Sequence, residues 1–70
     1  MSIDHRPVAP SEVIYNLRAL AAHMRRNARL LERMYTDAAL ARAAELHSAA
    51  TIPEGWAAQI EAEQTREDAA

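Results

Sequence analysis

Apolar side chains recur at mixed spacings of three and four from Val13 to Leu46. That rhythm follows the 3.6-residue period of an α-helix, not the two-residue alternation of a strand. On a helical wheel Val13, Leu17, Leu20, Met24, Leu31, Tyr35 and Ala38 share one stripe, which Ile14, Ala21, Ala28, Ala39, Leu46 and Ala49 widen. Arg42 is the one charged residue within it. The stretch from Ser11 to Ala50 contains neither proline nor glycine, so nothing in it stops a helix outright. Ser11 suits the N-cap, with Glu12 in the first turn, although Ile14 stands where a capping box needs Glu or Gln. The pattern therefore predicts an all-α protein built on one long amphipathic helix, about residues 11–50. A competing reading places a bend near 35–37, because Thr36 and Asp37 are both N-cap residue types. The bend would make a hairpin. Against it stand the missing Gly, Pro or Asn and the unbroken phase of the stripe.

Past residue 50 the pattern changes. Pro53 cannot continue a helix comfortably, and Ile52 before it is biased toward extended conformations. Thr51-Ile52-Pro53 can instead open a new helix, since proline suits the first helical position. A short second helix is expected over 53–66, with Trp56 and Ile60 on one face, docking on the long helix or on a partner. Before the long helix, Pro7 and Pro10 make residues 1–10 a flexible N-terminal arm. The expected organisation is that arm, a single helical domain over 11–66, and a frayed acidic end over 67–70.

Composition changes this picture in one respect. Half of the 70 residues are hydrophobic, but 17 of those 35 are alanine, and there is no phenylalanine. Large core-filling side chains are scarce. A lone helix of roughly 60 Å would have no way to cover its stripe. We therefore expect an oligomeric helical bundle, with Val13, Leu17, Leu20, Met24, Leu31, Tyr35, Leu46, Trp56 and Ile60 as the oligomer or partner interface. The bent version would suit two antiparallel helices dimerising into a four-helix bundle. The stripe is not a strict heptad, because alanines and Arg42 fall in it, which weakens a long coiled coil as the assembly.

Charge supplies a second candidate surface. The net charge is −2, which argues against a polybasic nucleic-acid binder, yet all eight basic residues are arginine. Arg18, Arg25, Arg26, Arg29 and Arg33 occupy a sector of about 100° beside the apolar stripe. Such a face can contact phosphates, pair with an acidic protein, or lie in solvent screened by the acids that follow Ile52. Those acids are Glu54, Glu61, Glu63, Glu67 and Asp68.

Candidate chemistry is thin. There is no cysteine, and His5, His23 and His47 have no ligand neighbour at helical metal-site spacing, so no metal or cofactor is expected. No nucleophile elbow or phosphate loop is present, so no catalytic residue is assigned. No apolar run is long enough to span a membrane, and the first residues lack the apolar core of a signal peptide, so a cytoplasmic location is expected. The sequence reads as a small non-enzymatic helical protein that self-associates and acts by protein–protein interaction as a regulator, inhibitor or adaptor. Two alternatives stand beside this. One is a nucleic-acid-binding helical dimer using the arginine face. The other is a structural subunit of a larger assembly, such as a phage-derived one.

Overall fold

The computed structural model describes residues 8–69. Within them the chain forms two helices, α1 (Pro10–Glu32) and α2 (Asp37–Ala69), packed against each other as an antiparallel hairpin. The single long helix expected over 11–50 is not formed: the bend reading holds. The other expected break is absent, because α2 runs through Pro53 with no separate short helix over 53–66. The expected arm over 1–10 lies mostly outside the described residues.

The helix ends follow from local chemistry. Ala9, not Ser11, is the N-cap of α1, and Pro10 takes the first helical position, where its missing N–H costs nothing. The Ala9 carbonyl accepts from the amides of Glu12 and Val13 at 2.9 and 3.2 Å. At the other end the amides of Arg33, Met34 and Tyr35 donate to the carbonyls of Leu30, Leu31 and Glu32, three residues back in each case. This tightened last turn closes α1. Tyr35 then adopts a left-handed conformation with φ of 56°, the role usually given to Gly or Asn. Thr36 caps α2: its Oγ1 accepts from the Ala39 amide at 3.1 Å. Of the two N-cap residue types after Tyr35, Thr36 acts as the cap and Asp37 opens the first turn of α2.

The core is a seam of small side chains. In α1 the buried residues are Ile14, Ala21 and Ala28, seven apart; in α2 they include Ala43, Ala50 and Ala57, also seven apart. Ala39 and Pro53 complete the set. The alanines that seemed to spoil a heptad are thus the heptad itself, and Arg42 lies outside the seam, exposed and paired with Glu45 at 3.0 Å. A repeat of seven keeps one stripe of each helix facing the other along the whole contact. Small residues at the contact let the helix axes approach toward the short end of the usual 8–10 Å range. Ala28, Ala50 and Ala57 are 0% exposed, while no large side chain among the described residues is fully buried. The seam also explains why α2 survives Pro53. Proline removes the hydrogen bond to the Ala49 carbonyl, yet Ala50 and Ala57 on either side hold the same register against α1. Burying six alanine methyls contributes about 5 kcal/mol at roughly 0.8 kcal/mol each.

Candidate interaction faces

Three cross-helix pairs lie along one side of the alanine seam. Arg18 meets Glu61 at 3.2 Å, Arg25 meets Glu54 at 2.7 Å, and His47 meets Glu32 at 3.3 Å. Each step of seven up α1 is matched by a step of seven down α2, which fixes a single antiparallel register. The middle pair is the best formed. Arg25 Nε and Nη2 donate to the two carboxylate oxygens of Glu54 at 2.9 and 2.7 Å, a bidentate fork. This holds the Glu54 carboxyl below its ordinary range and keeps the Arg25 guanidinium still more firmly protonated. Arg25 Nη1 also lies 3.2 Å from His47 Nδ1. A guanidinium can only donate, so Nδ1 is the acceptor, and Nε2 carries the hydrogen given to Glu32 Oε1. His47 is thus a half-buried member of a four-residue network, whereas sequence spacing made it an ordinary surface histidine. Its partners come from the other helix, so no local pattern announces them. His23 is exposed, with Asn27 Nδ2 lying 3.2 Å from its Nε2; His5 lies outside the described residues.

The remaining members of the expected basic face, Arg26, Arg29 and Arg33, are exposed and have no carboxylate partner among the described residues. Arg18, Arg25, Arg26, Arg29 and Glu54 surround Ala22, whose small side chain leaves an open cleft of about 420 Å³ between them.

On the other side of the seam lies an apolar face. Because these three cross-helix contacts sit on one flank, the opposite flanks of both helices share the opposite broad face. Leu17, Met24 and Leu31 recur every seven residues there on α1, and Leu46, Pro53 and Ile60 do so on α2. Apart from buried Pro53, all of them are half-buried, as is Val13. Leu20 and Trp56, one position further out, are 50% and 57% exposed. Eight of the nine expected interface residues therefore come together on this face. The ninth, Tyr35, does not: it stands in the turn, 84% exposed and off the seam. Trp56 does not close onto α1 as expected of a core residue; most of it faces outward. Ile52, which the sequence reading left out of the interface, is 53% exposed and borders the same face. Its spacing of four from Trp56 was the available signal.

Among the described residues no three His, Asp or Glu side chains gather as a metal-binding group, and no helix is long and apolar enough to cross a membrane. The chain matches no protein-family model, no curated protein and no solved structure.

Proposed function

We propose that this is a non-enzymatic helical binding protein that self-associates and acts through protein–protein interaction, as a regulator, inhibitor or adaptor. The observation that carries the reading is the apolar broad face. Its residues follow the same seven-residue repeat as the buried alanines, yet remain half-covered, and Leu20 and Trp56 stand open. A face of this pattern is a bundle interior lacking its other half.

The occupant is a second copy of this chain. Two adjacent helices, each about 10 Å wide, along the roughly 34 Å of α1 present a footprint of about 700 Å². That is close to the roughly 800 Å² per partner of a stable protein interface. Polar residues border the face, Arg42 and Glu63 among them, so a two-fold pairing brings apolar centre onto apolar centre within a polar rim. The result is a four-helix bundle with the alanine seams inside each hairpin and the larger side chains between hairpins.

Sedimentation equilibrium tests this. The expected mass is twice the 7.8 kDa of the chain. The double substitution Leu20→Glu, Trp56→Glu is expected to give a helical monomer, since neither side chain belongs to the alanine seam. A wild-type monomer at every concentration, or a dimer unaffected by the double substitution, would overturn the proposal.

A further inference from the structure

Opposite the apolar face, the outer side of α1 carries a row of cations with one aromatic ring. Tyr15, Arg18, Ala22, Arg25, Arg26, Arg29 and Arg33 share a sector of about 100°, and their helical rise spans about 27 Å. Tyr15 is 73% exposed at one end of the row. Arg18 and Arg25 are already matched by Glu61 and Glu54, so the face holds part of its charge in place. Arg26, Arg29 and Arg33 have no such partner among the described residues. The cleft around Ala22 brings Arg18, Arg25, Arg26 and Arg29 to one concavity, with Glu54 as its only acid among the described residues.

The geometry points to a binding site for single-stranded nucleic acid, its phosphodiester backbone running along Arg26, Arg29 and Arg33 into the Ala22 cleft and a base stacking on Tyr15. Two features favour this ligand over an acidic protein. A protein interface needs an apolar centre within a polar rim, and this row has no large apolar side chain besides the terminal tyrosine. A sequence-tolerant strand needs only what is present, a line of cations and a ring to stack on. Arginine also supplies donors in a rigid fork suited to phosphate oxygens. The single strand fits better than a duplex because α2 flanks α1 along its length, so α1 cannot sink into a groove as an isolated helix would.

Fluorescence anisotropy with a short labelled oligodeoxythymidine at low salt tests the site on the full chain. Binding is expected, and a fourfold rise in salt should weaken it about 20-fold, the response for three phosphate contacts on a single strand. Arg26→Glu, Arg29→Glu, Arg33→Glu together should abolish binding, and Tyr15→Ala should weaken it about tenfold. These side chains lie outside the seam, so circular dichroism should be unchanged; Gln replacements serve if the Glu variant misfolds. Several results would overturn the proposal. They are absence of binding at low salt, preference for a duplex with Tyr15→Ala neutral, and equal capture of a polyglutamate peptide. A fourth is loss of self-association in the arginine variant, which would make the row an interface with a second copy. The dimer proposal stands or falls separately, on the mass of the Leu20 and Trp56 variant.

Discussion

At the scale of single residues, the Arg25–Glu54 pair is the most consequential polar contact. It is bidentate and only partly exposed, and it links to His47 and Glu32. Charge-assisted forks of this kind are stronger than the exposed pairs around them, such as Arg18–Glu61 and Arg42–Glu45. The Glu54 carboxyl is depressed in the folded chain because Arg25 donates to it. Its contribution is therefore present above the ordinary carboxylate range and is lost as the pH falls through its lowered folded value. Thermal melts from neutral pH down to about pH 3 should show a steeper fall for the wild type than for Glu54→Gln. Parallel curves would mean that the fork does not stabilise the hairpin.

At the scale of elements, the turn and the course of α2 were settled by opposite kinds of signal. The turn places Tyr35 in a left-handed conformation that costs an L-residue roughly 1–2 kcal/mol. Its ring is almost wholly exposed, so little packing is at stake. Tyr35→Gly should therefore raise stability by about 0.5–1 kcal/mol in denaturant titration, net of the extra freedom glycine has when unfolded. A destabilised variant would mean that the ring contributes contacts at the turn. In α2 the local signal at Pro53 argued for a break, and the repeat of Ala43, Ala50 and Ala57 argued against one. The repeat won because tertiary packing of a whole face outweighs the loss of one backbone hydrogen bond.

At the scale of the molecule, the hairpin is a single layer: its Cα atoms extend only 12 Å in the thinnest direction, about one helix diameter. One layer has two broad faces, and the chain gives them different chemistry. One carries the cross-helix pairs and the arginine row beside them; the other carries Leu17, Met24, Leu31, Leu46, Trp56 and Ile60. If a second copy covers the apolar face, folding and association are linked. The melting temperature should then rise with protein concentration, and the dependence should vanish in the Leu20→Glu, Trp56→Glu variant. A concentration-independent melt of the wild type would point to a hairpin stable alone.

The all-helical class, the apolar stripe and the arginine sector were legible from spacing alone, because helical periodicity is a local property that each stretch carries in its own residues. The heptad of alanines was also written there, but its meaning was not. A small side chain reads as a gap in an apolar stripe until a second helix is seen to approach at that position. The turn at Tyr35 carried a local sign, the Thr36 cap, but whether Pro53 ended α2 and which acids met Arg18 and Arg25 depended on residues far apart in the chain. Those choices belong to the packing of α1 on α2, where the energy of the whole seam overrules the preference of any one residue.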